Sequence, residues 1–117
     1  MKTKIFDTIL EVVHEVTEVD KSDIISTKKD DDYTEARVLL VWFCKLNGMH
    51  APAIAQYIGR KSEESVNKML RSFHEWNASS TMFRLYLKKI AAVLRSLAMT
   101  SPMVIFLLII GVFLLKN

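Results

Sequence analysis

The segment from Ala51 to Trp76 holds the side chains whose types and spacing most clearly indicate a function. Two predicted helices, 51–58 and 62–76, are separated by the short turn Gly59-Arg60-Lys61. Two helices joined by a short glycine-containing turn are typical of a helix-turn-helix, whose second helix lies in the major groove of duplex DNA. The spacing therefore predicts a unit that binds nucleic acid.

The second helix of this unit would present a polar outward face, formed by Glu63, Glu64, Asn67, Lys68 and Arg71. Asparagine can pair with adenine, and arginine or lysine with guanine, so we expect Asn67, Lys68 and Arg71 to reach base edges. Arg60 and Lys61 precede the helix, where contacts to phosphate usually occur. These five side chains form the predicted DNA-binding surface.

Other kinds of chemistry find little support in the residues. His14, His50 and His74 are far apart in the sequence and lack the spacing of a metal site, and Cys44 lies in an apolar run. No glycine-rich phosphate loop and no nucleophile with a histidine partner is present. We therefore expect neither an enzyme, nor a cofactor, nor a bound metal.

The charge is unevenly distributed along the chain. Residues 1–36 carry five basic and ten acidic side chains, a net −5, whereas residues 37–117 carry eleven and three, a net +8. A positive second part is suited to a polyanion or to an anionic membrane surface.

The first half of the chain supplies helices that would position this unit. Residues 4–17 repeat isoleucine and valine at helical spacing, and Asp20 begins a short helical turn through Ile25. Residues 27–33 are predicted to be a charged loop. Thr34 would cap a long helix, and the apolar run Val38–Cys44 predicts that this helix is the most buried one.

The second half continues the helical pattern. Gly48 would end the long helix, and residues 77–80 would break the chain before a further helix that extends to about Ala98. The apolar face of this last helix could complete the core, while its basic side could rest on anionic lipid headgroups. With no strand-like segment, the chain is predicted to be an all-α bundle that contains a helix-turn-helix.

The C-terminal end has the composition of a membrane segment. Residues 96–115 include no charge, and most of Met103–Leu115 is leucine, isoleucine, phenylalanine or valine. Twenty helical residues rise about 30 Å, which matches the hydrocarbon thickness of a bilayer. A transmembrane helix is favoured over a buried or interfacial one, because a small domain can hardly surround a helix that is apolar on all sides.

Basic residues precede this segment and only Lys116 follows it. The positive-inside rule then predicts a single-pass tail anchor in a bacterial-type inner membrane, with the N-terminal domain in the cytoplasm. We expect three parts: the helix-turn-helix domain 1–78, the amphipathic basic helix 79–98 and the anchor 99–117.

The segment His50–Val66, HAPAIAQYIGRKSEESV, resembles the helix-turn-helix of the C-terminal DNA-binding domain of the bacterial replication initiator DnaA. Similar positions are occupied by Pro52, Ile54, Gly59, Lys61, Ser65 and Val66. From about residue 8 to residue 74 the order of parts is also similar, including a basic loop and a long apolar helix introduced by Ala36-Arg37. The resemblance implies that Lys29, Arg37, Lys61 and Ser65 contact DNA.

The sequence also departs from that family. Ser62, Glu63 and Glu64 stand where the family begins its reading helix with Asp, His and Thr, and Asp30–Asp32 follow the two lysines of the basic loop. Carboxylates near phosphates oppose binding, so the family's preferred DNA sequence is not implied. Because no nucleotide-binding motif is present, replication initiation is not implied either.

Two functions remain open at this stage. The first is a membrane-anchored helix-turn-helix protein with a regulatory role, whose partner is double-stranded DNA. The alternative is a membrane-anchored module on a DnaA-like scaffold that binds a protein partner and no longer binds DNA. The acidic substitutions motivate the alternative, whereas the basic helix-turn-helix motivates the first function.

Overall fold

The computed structural model describes residues 2–97, which form six α-helices and, within that range, no strand. The helices are α1 (Lys2–Thr17), α2 (Lys21–Ile24), α3 (Asp31–Leu46), α4 (Ala51–Tyr57), α5 (Glu63–Ser79) and α6 (Thr81–Ser96). The all-α prediction is therefore confirmed for these residues. The predicted membrane segment, 96–115, lies outside the described residues except for its first two. Among the helices of residues 2–97, none combines the length and apolar character that a membrane span requires.

Helix α3 lies at the centre of the bundle, where α1, α2, α4 and α5 all contact it. Its run Val38–Val41 is fully enclosed, as are Phe43 and Cys44, so the prediction that this is the most buried helix is confirmed. The helix ends at Leu46, and Gly48 follows with a φ of +89°. A left-handed backbone is accessible to glycine without steric penalty, which explains why the chain can turn there towards α4.

The start of α3 differs from the prediction. The helix begins at Asp31 rather than at Thr34, and Asp30 occupies the N-cap position. Asp31 and Asp32 thus lie in the first turn, where their carboxylates interact favourably with the positive end of the helix dipole. The charged run is therefore partly helical, because its negative charges suit a helix N-terminus.

The junction between α5 and α6 is also tighter than predicted. Residues 77–79 continue α5, and only Ser80 stands between the two helices. Its hydroxyl accepts a hydrogen bond from the backbone nitrogen of Phe83 (3.0 Å) and donates one to Oε2 of Glu35 (3.0 Å). Ser80 therefore caps α6 and links the junction to α3, whereas the predicted break at Asn77 is wrong, since that residue is buried within α5.

Helix α6 contributes one apolar face to the core. Its fully buried side chains are Phe83, Leu87, Ile90 and Leu94, and the helix packs on α1 and α5. Of the two roles expected for this helix, completion of the core is the one that the structure shows. A fragment that ends at residue 78 would lack these side chains, so experiments on the helical domain need α6.

Stacked aromatic rings fix α5 against the central helix. The rings of Trp42 and Phe73 lie nearly parallel, at 8°, with centroids 3.7 Å apart. The Phe73 ring also meets Phe83 edge-on, with centroids 5.4 Å apart. Because these rings come from α3, α5 and α6, the cluster determines which face of α5 turns inwards and which remains available to a partner.

Candidate nucleic-acid interface

The predicted helix-turn-helix is present between Ala51 and Ser79. Helix α4 ends at Tyr57, Gly59 turns the chain with a φ of +67°, and α5 begins at Glu63. Ser62 is extended at the N-cap position, although its side chain makes no capping hydrogen bond. Ile54 and Val66 are buried where the two helices meet, so their relative orientation is fixed by packing.

Arg60 connects the turn of this unit to the loop between α2 and α3. Its guanidinium donates a hydrogen bond of 2.8 Å to the carbonyl oxygen of Ser26 and one of 3.5 Å to that of Ile25. A third bond, of 3.0 Å, goes to the carbonyl oxygen of Ile58. Burial lowers the pKa of Arg60 from its usual value, but arginine stays protonated in proteins. Arg60, predicted to bind phosphate, therefore mainly positions the turn.

Arg37, in α3, also donates hydrogen bonds to the end of α2 and to the segment between α2 and α3. Its side chain is buried, and its guanidinium donates hydrogen bonds to three carbonyl oxygens, those of Ile24 (2.6 Å), Lys28 (3.0 Å) and Asp23 (3.1 Å). Burial lowers the pKa of Arg37, and the positive charge of Arg60 lowers it further. The Nε and Nη2 groups of Arg37 are thus engaged inside the domain and hold this loop, while the DNA contact that the resemblance implies for Arg37 stays a prediction.

The two lysines of the α2–α3 loop differ in their surroundings. The ammonium of Lys28 lies 3.1 Å from Oδ1 of Asp23 and 5.9 Å from the ring centre of Tyr33. The hydrogen bond to Asp23 raises the pKa of Lys28. Lys28 is thus paired with Asp23, whereas Lys29 is exposed; the contact of Lys29 with a phosphate stays a prediction.

The outward face of α5 carries most of the predicted contact residues. Lys61, Lys68 and Arg71 are exposed, whereas Ser65 and Asn67 are half-buried. These five side chains lie on the first half of α5 or directly before it. The structure therefore brings Lys61, Ser65, Asn67, Lys68 and Arg71 together at one end of the helix-turn-helix.

An ion pair occupies part of this face. Nη2 of Arg71 lies 2.6 Å from Oε1 of Glu64, and both side chains are largely exposed. Glu63 is exposed beside them, as are Asp30, Asp31 and Asp32 near Lys29. The surface is consequently of mixed charge: its lysines and arginine attract a polyanion, and its carboxylates weaken that attraction.

The cysteine and one of the histidines lie in surroundings that indicate a structural role. Cys44 is completely buried, and its burial raises the pKa of the thiol to about 12, which leaves it uncharged and poorly nucleophilic. Nδ1 of His14 donates a hydrogen bond of 2.8 Å to the carbonyl oxygen of Val19. Within residues 2–97, no three histidine, cysteine or carboxylate side chains are close enough together to hold a metal ion.

The sequence reasoning missed how the two arginines are used. The general expectation that arginine binds phosphate was applied to Arg37 and Arg60, yet both stabilise the backbone of residues 23–28. One signal was available, because Arg37 directly precedes the longest apolar run before residue 103, and such a position favours burial.

Comparison with known proteins supports the resemblance to DnaA. The chain is 30% identical over 87 residues, or 72% of its length, to the chromosomal replication initiator protein DnaA of Campylobacter concisus (strain 13826). It spans 20% of the length of that relative. No protein-family model matches the chain, and no solved structure matches it either. The chain is therefore similar to part of a DnaA protein.

Proposed function

We propose that this protein binds double-stranded DNA with the outward face of α5 and with the loops that precede α3 and α5. The observation that carries the proposal is the hydrogen bonding of Arg60, which holds the helix-turn-helix turn against Ser26. Exposed Lys61 directly follows Arg60 and precedes α5, and exposed Lys29 follows Ser26 in the loop that Arg60 holds. The similarity to a chromosomal replication initiator supports the same function.

The roles of individual residues follow from their exposure. Lys29 and Lys61 neutralise phosphates, while Lys68 and Arg71 point away from the core where base edges would lie. Ser65 and Asn67 are half-buried and contribute shorter polar contacts from the side of the helix. Arg37 and Arg60 act indirectly, because they position the loops that carry the lysines.

Membrane anchoring is a second component of the proposal, and it is supported by the sequence. Residues 96–115 form an uncharged segment of twenty residues that follows the basic helix α6. Such a segment is suited to spanning a bilayer once, with the helical domain on the cytoplasmic face of a bacterial inner membrane. A DNA-binding domain tethered in this way would act as a regulator that holds DNA near the membrane.

Salt dependence of duplex binding tests the DNA-binding function. The full chain, kept in a mild detergent, is titrated against a fluorescent duplex of mixed sequence at several salt concentrations. If Lys29 and Lys61 each neutralise one phosphate, the slope of log K against log salt should be about −2, and it should be about −4 if Lys68 and Arg71 also contact phosphates. Undetectable binding at low salt, or binding that does not respond to salt, would exclude this function.

The carboxylates of the same surface favour a second candidate, which is a protein-interaction module. Glu64 pairs with Arg71, and the exposed Asp30, Asp31 and Asp32 directly follow Lys29 in the chain. A partner protein with basic side chains would complement this surface better than DNA would. Chemical crosslinking of wild type and of a K29E/K61E variant separates the two. A protein recovered equally with both, in the absence of any duplex binding, would support the second candidate.

A further inference from the structure

Helix α6 has a second apolar surface that the domain does not cover. The large hydrophobic side chains most exposed within residues 2–97 are Met82, Leu85, Val93 and Leu97, at 49%, 42%, 37% and 52%. At 100° per residue these four lie within an arc of about 120° that adjoins the side of the helix facing the core. We refer to Met82, Leu85, Val93 and Leu97 as the outer stripe. The exposed Lys89 lies between the pair Met82 and Leu85 and the pair Val93 and Leu97. Exposed large apolar side chains grouped on one face mark an interaction surface.

The outer stripe has a basic flank and an acidic flank. Lys88 and Arg95, which are exposed, lie along one edge of it on α6 itself. Along the other edge runs α1, where three carboxylates, those of Asp7, Glu11 and Glu15, and one ammonium, that of Lys4, line an open groove with Val93 and Leu97. Glu11 is paired with Lys21, and this interaction lowers the pKa of Glu11, but Asp7 and Glu15 are exposed carboxylates.

The two helices that border this groove run in opposite directions. Tyr86 lines a cavity with Thr17 and Glu18 at the end of α1, whereas Leu97 lies beside the beginning of α1. The N-terminal part of α6 therefore lies beside the C-terminal end of α1, and the C-terminal part of α6 lies beside the N-terminal end of α1. From this antiparallel order we expect Lys88 near the level of Glu15 and Arg95 near the level of Asp7.

We propose that the outer stripe packs against the outer stripe of a second copy of this chain, with the two α6 helices parallel. A two-fold axis along the helices places the basic flank of one copy opposite the acidic flank of the other. In this arrangement Lys88 faces Glu15 of the second copy, and Arg95 faces its Asp7. An antiparallel pair would instead bring like charges together, which disfavours it.

Two further observations favour a second copy as the occupant. An anionic membrane surface pressed onto the outer stripe would lie against the acidic flank on α1, which repels it. A parallel pair also directs both C-terminal segments the same way, as two chains anchored in one membrane require; this argument alone rests on the proposed anchoring. Lys89 lies within the stripe and faces Lys89 of the second copy across the two-fold axis. A lysine at such a position costs stability but specifies the register of a parallel helix pair.

Disulfide crosslinking tests the contact itself. The only cysteine, Cys44, is buried, so a cysteine introduced at Lys89 is the only accessible thiol in the K89C chain. The full-length K89C variant in mild detergent should form disulfide-linked dimers upon mild oxidation. The matched control E75C, at an exposed position of α5, should remain monomeric. Efficient crosslinking of M82C chains to L97C chains would indicate an antiparallel pair and overturn the proposal.

Charge reversal distinguishes self-association from lipid binding. The double variant K88E/R95E should weaken the dimer about tenfold or more by sedimentation equilibrium, because like charges then face each other. Adding D7K and E15K to the same chain should restore the wild-type dissociation constant. Binding to vesicles of anionic lipid would not be restored in this pattern. A wild-type monomer throughout the concentration range, or a dimer that ignores both sets of changes, would contradict the proposal, whatever the result for DNA.

Discussion

Arg37 and Arg60 both donate hydrogen bonds to Ser26, although they belong to different parts of the fold. Arg37 reaches the Ser26 hydroxyl at 3.5 Å from α3, and Arg60 reaches its carbonyl oxygen at 2.8 Å from the turn before α5. The two guanidinium groups thereby hold the α2–α3 loop and the helix-turn-helix turn in one arrangement. The proposed DNA contacts of Lys29 and Lys61 depend on this arrangement.

The first prediction concerns the stability provided by Arg37. Replacing it with alanine removes the side-chain donors to the carbonyl oxygens of Ile24 and Lys28. The carbonyl oxygen of Asp23 loses one donor but keeps the hydroxyl of Ser26. We expect the free energy of unfolding in urea to fall by about 3 kcal/mol. The control R71A, at an exposed position on α5, should change it by less than about 0.5 kcal/mol. If R37A unfolds like wild type but no longer binds duplex DNA, Arg37 contacts the DNA directly.

A second prediction follows from the ion pair between Glu64 and Arg71. The substitution Glu64→Gln removes one carboxylate from the binding surface and releases the guanidinium of Arg71. Duplex affinity at low salt should rise about three- to tenfold, and the salt slope should steepen by about one. Fluorescence anisotropy measures both quantities. E75Q, further along the exposed side of α5, has the same charge change and serves as the control; an equal gain from both variants would mean that net charge alone is responsible.

A third prediction assigns Lys61 to phosphate. Lys61→Ala should weaken binding to every duplex sequence by a similar factor and reduce the magnitude of the salt slope by about one. Lys45 is exposed in the last turn of α3, at the opposite end of that helix from Lys29. K45A should leave both quantities unchanged. A loss confined to particular sequences would show that Lys61 reads base edges instead.

The fourth prediction concerns pH. Burial raises the pKa of the Cys44 thiol to about 12 from a value of 9.0. Above pH 9 the unfolded chain releases this proton while the folded chain retains it, so the stability that the buried thiol provides is lost as the pH rises from 9 towards 12. The free energy of unfolding of wild type should fall more steeply than that of C44A, by about 1.4 kcal/mol per pH unit. If the free energies of unfolding of wild type and C44A depended on pH in the same way, the raised pKa of the Cys44 thiol would be contradicted.

Much of the fold was predictable from the sequence because apolar residues that recur at helical spacing indicate a helix directly. The boundaries of α4 and the burial of α3 followed from Pro52, Gly48 and the apolar run Val38–Cys44. The start of α3 was not predictable by the same reasoning. An aspartate run has no apolar periodicity, and its helical state depends on a dipole interaction that exists only once the helix has formed.

The proposed binding surface was predictable for those residues whose role depends only on whether their side chains are exposed. Lys61, Lys68 and Arg71 lie on a helical face that the pattern of Val66 and Phe73 defines. The roles of Arg37, which is buried, and of Arg60, which is half-buried, could not be predicted in this way. Their partners are backbone carbonyl groups of a loop that is distant in the sequence, and backbone groups carry no signature in a residue pattern.

The aspartates at the beginning of α3 serve two requirements that conflict. Asp31 and Asp32 interact favourably with the helix dipole, yet they place negative charge beside the loop that would meet a polyanion. Selection for higher affinity for nucleic acid would therefore favour the replacement of these two aspartates. The selected proteins would have a lower melting temperature. Further substitutions that stabilise the N-terminus of α3 would then be selected together with the loss of the aspartates.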